Sequence, residues 1–413
     1  MSDFPAPAIW MLGAGITMTI GPLLLSCCFS KKDDEGPAHA GQVEAVTVER
    51  FLNNMAEEIP TRFSPSQLSD FTKNYSTILG SGGFGVVYRG QLPNGVPIAI
   101  KVLNGNLGKR AEQQFMAEIS TIGRTYHVNL VRLYGFCFDP TKQALVYEYM
   151  ENGSLDSFLF GEENRRRSME WEKLHKIAIG TAKGIAYLHE ECQHRIIHYD
   201  IKPGNVLLDS KLCPKVADFG LAKLCNRDST HVTMTCYRGT PGYAAPELWL
   251  PFPVTHKCDV YSFGMLLFEI VGRRRNFNDE SQEWLPRWTW EKYEKGELME
   301  LMQLFGIEEE EDKRKAERIC LVALWCVQHS PVDRPLMSTV VKMLEGGVEI
   351  VPNPPNPFQY LVSIRVDPAI SSTRSNGDSD FPSSSEPTTE KPSSTSDHTP
   401  LIKRTLEIED LVE

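Results

Sequence analysis

The chain has 413 residues, 41% of them apolar and 23% charged, which excludes a wholly disordered polymer and predicts two or three domains. A formal net charge of −11 gives no sign of a nucleic-acid partner. Ten cysteines occur without one Cys-x-x-Cys spacing, which argues against a disulfide framework or a zinc site.

No charged residue appears from Phe4 to Ser30, and Ala8–Phe29 supplies 22 mainly apolar residues. As a helix they would reach about 33 Å, enough to cross a bilayer. A transmembrane helix is therefore expected at 8–30, after a short extracellular N-terminus at 1–7. Lys31 and Lys32 follow the span while only Asp3 precedes it, which puts the C-terminal side in the cytoplasm. A cleaved signal peptide fits less well, because no basic n-region precedes the apolar stretch. Leu24-Leu25-Ser26-Cys27 also resembles a bacterial lipoprotein signal. Cys27 and Cys28 are candidates for palmitoylation, or simply lipid-facing thiols.

A juxtamembrane segment is expected at 31–72. Within it Val48, Phe51, Leu52, Met55 and Ile59 suggest a short amphipathic helix, packed on the following domain because its polar face is acidic. Next come Leu79, Gly80, Gly82, Gly85 and Val87 in a G-x-G-x-x-G-x-V pattern, where glycines let the backbone fold closely over a phosphate chain. Ile98-Ala99-Ile100-Lys101 ends an apolar strand in a cation, and Glu112–Ile122 carries Phe115, Ile119 and Ile122 at helical spacing beside Glu118.

Further on, His198-Tyr199-Asp200-Ile201-Lys202-Pro203-Gly204-Asn205 precedes Asp218-Phe219-Gly220. Gly239-Thr240-Pro241-Gly242-Tyr243-Ala244-Ala245-Pro246-Glu247 follows, then Asp259 in an apolar helix and Arg334 between two prolines. The run Glu308–Asp312 reads as a solvated face. After residue 351 the composition shifts. Residues 352–400 hold nine Pro and sixteen Ser or Thr, so 352–413 is expected to be a disordered tail.

These motifs, in this order, resemble the eukaryotic protein kinases. Asn129–Cys137 and Leu145–Leu155 narrow the resemblance to plant receptor-like kinases of the Pelle/interleukin-receptor-associated class. Ile197–Pro203 is most similar to leaf-rust-resistance-type or thaumatin-like receptor kinases. The resemblance implies an α+β bilobal fold, with an N-lobe and hinge at 73–150 and a helical C-lobe at 151–351. It implies ATP and Mg²⁺ as cofactors, with Mn²⁺ as an alternative ion, and protein Ser/Thr hydroxyls as acceptors. Catalysis would fall to Asp200, which accepts or orients the hydroxyl proton, and to Lys202 beside the transferring phosphate. Asn205 and Asp218 would hold the metal, since hard cations prefer oxygen ligands. Lys101 would reach the α- and β-phosphates and pair with Glu118.

By the same resemblance Val87, Ala99 and Leu207 would enclose the adenine. Tyr147 would be the gatekeeper, with Glu148 and Met150 in the hinge. The activation segment would include Thr233, Thr235 and Thr240, the last supporting Asp200 and Lys202. Glu247, Asp259 and Arg334 would be structural. The resemblance further implies a reducing, cytoplasmic setting for the kinase, anchored by one span, probing protein substrates and taking its input from a co-receptor or receptor partner. Ser229, Thr230 and Tyr237 are further hydroxyls of the activation segment. One departure stands out: Tyr199 replaces the Arg that in most kinases pairs with an activation-segment phosphate. The segment is therefore expected to work without phosphorylation. The alternative is a catalytically weak or silent scaffold or decoy.

Overall fold

The computed structural model describes residues 60–82, 85–104, 109–123, 125–227, 239–249, 253–278, 282–347 and 351–359. The expected span at 8–30, the amphipathic segment up to Ile59, and Ser229, Thr230, Thr233, Thr235 and Tyr237 lie outside the described residues. Among the described residues no helix is long and apolar enough to cross a membrane.

A six-stranded sheet builds the small lobe. Its strands are β1 (Thr61–Arg62), β2 (Ile78–Gly82), β3 (Gly85–Gln91), β4 (Pro97–Leu103), β5 (Leu133–Asp139) and β6 (Lys142–Glu148), in the order β1-β5-β6-β4-β3-β2. Alternation along β4 sorts its two faces. Ile98 and Ile100 are wholly buried, whereas Ala99 and Lys101 remain partly accessible. The buried face is covered by helix α1 (Pro65–Phe71), whose Leu68 packs with Ile98, Ile100, Cys137, Ala144 and Val146. Burying one such leucine contributes roughly 2 kcal/mol.

Local chemistry starts α1 where it does. Ser64 and Gln67 form a reciprocal capping box, with Pro65 at the first helical position. Upstream of α1, β1 runs parallel to β5, pairing Thr61 with Gly135 and Arg62 with Phe136. Residues 60–72 are thus part of the packed small lobe, although the sequence reading opens that lobe at residue 73.

Helix α2 (Lys109–Ile122) covers the opposite face, its Phe115 meeting Phe136 and Phe138. The large lobe is helical. Its central helix α4 (Lys257–Gly272) is buried at every position from Cys258 to Val271, and α5 (Glu310–Cys326) packs along it. Helix α3 (Trp171–Ala186) runs on through a π-helical turn at Tyr187–Glu191 and packs against α6 (Met337–Glu345).

Two antiparallel pairs of short strands frame the loop at 198–205. One joins β7 (Arg195–Ile197) to β10 (Lys223–Cys225), and the other joins β8 (Val206–Leu208) to β9 (Pro214–Val216). Packing also extends past the boundary that composition set at residue 352. Val351 and Phe358 are buried, the Trp325 indole donates to the Pro352 carbonyl, the Gln328 amide donates to the Pro355 carbonyl, and Phe358 meets the Trp284 ring. The expected tail is corrected accordingly: through residue 359 the proline-rich chain is held by aromatic burial and by carbonyl acceptors that need no amide of their own.

Candidate active site

The sheet's second face supplies one wall of the cleft. Val87 lies opposite Lys101 across β3 and β4, and Ala99 lies opposite Tyr147 across β4 and β6. Directly opposed residues share a face, so Val87, Ala99, Lys101 and Tyr147 project together. At the hairpin joining β2 to β3, Gly85 has φ +148, and a Cβ there would fall 2.1 Å from the Val102 carbonyl oxygen. Only glycine fits. At Gly80 and Gly82 an added Cβ would meet no protein atom within 4 Å, so the protein itself does not crowd that backbone. Leu79 sits beside them on β2 and is partly exposed.

Lys101 is the hub of the upper site. Its Nζ lies 2.6 Å from Glu118 Oε1 and 2.8 Å from Asp218 Oδ1. Burial pushes Lys101 down, but the two carboxylates outweigh it and its affinity for the proton ends above the ordinary value. Burial pushes Glu118 up to about 7, opposed by Lys101 and reinforced by Asp218. Asp218 is also pushed up by burial, yet the Lys101 charge and hydrogen bond hold it below the usual carboxylate range. The Tyr147 hydroxyl donates to Glu118 Oε2. Neither this hydrogen bond nor the direct Lys101–Asp218 pair follows from linear spacing.

The lower site is a second set of contacts around Asp200, which is buried. Thr240 Oγ1 donates to Asp200 Oδ1 at 2.5 Å and accepts from Lys202 Nζ at 2.7 Å. Lys202 Nζ lies 2.9 Å from Asp200 Oδ2. Asn205 Nδ2 donates to the Asp200 carbonyl and to Oδ2, at 2.8 and 2.9 Å. That commits the amide nitrogen and leaves Asn205 Oδ1 as the acceptor end. The donor set fits Mg²⁺, which takes one or two protein oxygens and completes its shell with phosphates and waters.

Backbone geometry holds this set in place. Tyr199 and Asp218 both adopt positive φ, +66 and +64, in the left-handed region that non-glycine residues rarely occupy. The buried carboxylate of Asp259 accepts the His198 amide on Oδ2 and the Tyr199 amide on Oδ1, each at 2.8 Å, and His189 Nε2 lies 2.8 Å from Oδ2. Burial pushes Asp259 up, but His189, with His198 and its amide, holds it below the usual range. His198 Nε2 lies 3.0 Å from the Ala217 carbonyl and its ring meets Phe219. Sequence reasoning gave neither His189 nor His198 a role. Their signal was position next to the motif, not residue type.

Arg334 grips Glu247 with both terminal nitrogens, at 2.6 and 2.8 Å, and both side chains are buried. Met150 is buried just past β6, and Leu207 sits on β8. The Glu148 carboxylate turns to the Arg132 amide at 2.7 Å and to Lys215 Nζ at 3.0 Å. That carboxylate is spent on the protein, so any nucleotide contact by Glu148 would have to come from its main chain.

The profile of the protein tyrosine and serine/threonine kinase family matches residues 74–344. The chain is 44% identical over 319 residues to the rust resistance kinase Lr10 of Triticum aestivum, covering 75% of this chain and 49% of that protein. It is 42% identical over 310 residues to the PR5-like receptor kinase of Arabidopsis thaliana, covering 72% and 45%. A G-type lectin S-receptor-like serine/threonine-protein kinase of Arabidopsis thaliana is 48% identical over 306 residues, covering 73% and 37%. The chain spans about half the length of the first two of these relatives, and less of the third.

Proposed function

The chain belongs to the protein tyrosine and serine/threonine kinase family, and on that premise we propose that it transfers the ATP γ-phosphate to protein Ser/Thr hydroxyls in plant receptor signalling. One observation carries the reading: Thr240, Lys202 and Asp200 form a closed hydrogen-bonded triad beside the Lys101–Glu118–Asp218 ion-pair set. A silent scaffold needs neither set intact.

Phosphoryl transfer asks the protein mainly for position and for stabilisation of developing charge. Asp200 would orient the acceptor hydroxyl and take its proton. Thr240 fixes the rotamer of that carboxylate. Lys202, held by the same hydroxyl, would bring its cation to the phosphate in transit. Lys101 would clamp the α- and β-phosphates, with Glu118 limiting its freedom. Gly80 and Gly82 leave their backbone open to the phosphate chain, and Val87, Ala99 and Leu207 would enclose the adenine. Asn205 Oδ1 and Asp218 would hold Mg²⁺, which when bound neutralises charge on the phosphate oxygens.

The reading includes a membrane anchor at 8–30, supported by the uncharged stretch and by Lys31 and Lys32 after it. It also includes a receptor or co-receptor as partner, supported by the names of the relatives. The test is radiolabel transfer from Mg-ATP by the full chain in detergent, compared with Asp200→Asn. Label on Ser and Thr from wild type, with nucleotide binding retained but transfer lost in Asp200→Asn, is the expected result. Equal incorporation by both would remove the enzyme reading.

A further inference from the structure

Building on the kinase reading, we propose that Arg227 is a positioning residue for phosphoryl transfer, tying the start of the activation segment to carbonyls at the end of α3. Arg227 Nη2 donates to the Glu190 carbonyl at 2.6 Å and to the Cys192 carbonyl at 2.5 Å, and Nε donates to Cys192 at 3.0 Å. These carbonyls close the π-helical turn that ends α3. The last carbonyls of a helix lack amide partners and carry the negative end of its dipole, so a guanidinium is well matched to them. Arg195, on β7, donates to the neighbouring His189 carbonyl at 3.1 Å. The two strands that flank the catalytic loop are therefore both pinned to one helix end.

The path from Arg227 to the chemistry is short. Two residues before it, β10 pairs with β7, setting Lys223 opposite Ile197 and Cys225 opposite Arg195. Ile197 is followed directly by His198 and the catalytic loop, and five residues before β10 stands Asp218. Holding Arg227 holds the strand between Asp218 and the catalytic loop. No phosphate takes part.

Tyr199 gives such a tether something to do. Its side chain is uncharged and buried, so it offers no cation to a phosphorylated residue. At the far end of the segment, Gly239 has φ +106, and a Cβ there would lie 3.0 Å from the Tyr199 carbonyl oxygen. That end closes by backbone packing, and the first end closes through Arg227.

The experiment compares the full chain with Arg227→Ala and Arg227→Lys, by steady-state kinetics and by hydrogen exchange. Arg227→Ala should lower kcat roughly tenfold or more while leaving KM for Mg-ATP within about twofold, because the contact sets geometry, not nucleotide binding. Exchange over residues 218–227 should quicken while the rest of the large lobe is unchanged. Arg227→Lys, which can still reach one carbonyl, should recover part of the rate. Unchanged exchange over 218–227, or unchanged kcat in an active wild-type background, would overturn the role. So would faster exchange throughout the fold, which would make Arg227 merely structural. A wild-type chain that transfers no phosphate would bring down the kinase reading first and this role with it.

Discussion

Tyr199 donates its amide to Asp259 Oδ1 at 2.8 Å, and it does so with φ +66. A strained peptide is held by a carboxylate buried in the central helix of the large lobe, one residue ahead of Asp200. The residue that departs from most kinases is thus tied through its backbone, and its side chain is buried. Asp259→Asn keeps the shape but supplies one oxygen for two amides. We expect a folded protein about 2 kcal/mol less stable, with transfer reduced by more than its folded fraction explains. Chemical denaturation and kcat on the same sample decide it, and normal kcat would refute the link.

The Glu118 carboxyl should impose a pH limit. Only its ionised form pairs with Lys101, and it titrates near 7. Transfer should therefore fall as pH drops below about 7, approaching tenfold per unit for one essential ionisation. Stability moves the other way. Because the folded-state value lies above the unfolded one, the native chain holds a proton that the unfolded chain releases between 4.5 and about 7. This group therefore favours the folded state increasingly as pH falls through that window. Tyr147→Phe removes a hydrogen bond to the charged form and should shift the acid limb of the rate profile upward. An unshifted limb would assign it to another group.

Arg334 and Glu247 form a buried, two-pronged ion pair. Arg334→Ala strands the Glu247 carboxylate without its partner, which costs about 3–5 kcal/mol. A urea midpoint close to wild type would show that water or another cation takes over. Arg334→Lys should recover only part of the loss, since an ammonium cannot present two parallel donors.

Because Tyr199 offers no cation, phosphate on the activation segment should matter little. Replacing Ser229, Thr230, Thr233 and Thr235 with Ala and Tyr237 with Phe should leave transfer within about tenfold of wild type. A loss beyond about 100-fold, some 3 kcal/mol in the barrier, would show that one of these hydroxyls is required.

Chemistry that depends on residue type in linear order was legible before any fold was known. Gly85, Lys101, Asp200, Asn205 and Asp218 lie in motifs whose order and spacing carry the resemblance to protein kinases, and that resemblance supplied the roles expected of them. Contacts between motifs were not. Leu68 and β1 join the small lobe because the sheet's outer face needs an apolar cover, and no local pattern says which segment provides it. The proline-rich stretch up to Phe358 looked too polar to fold, yet Trp284 and Trp325 give it a surface to lie on. Composition cannot foresee a partner from more than twenty residues away.

The sequence alone determined the order and spacing of motifs that resemble a phosphoryl-transfer set, with an uncharged Tyr199 where that resemblance expects a cation. Only the tertiary structure decided which distant residues meet around that loop. Arg227 meets the end of α3, Asp259 meets the Tyr199 amide, and Tyr147 meets Glu118, across 35, 60 and 29 residues. Such pairings arise from how helices and strands pack, because hydrogen-bonding groups removed from water must find partners wherever the chain brings them.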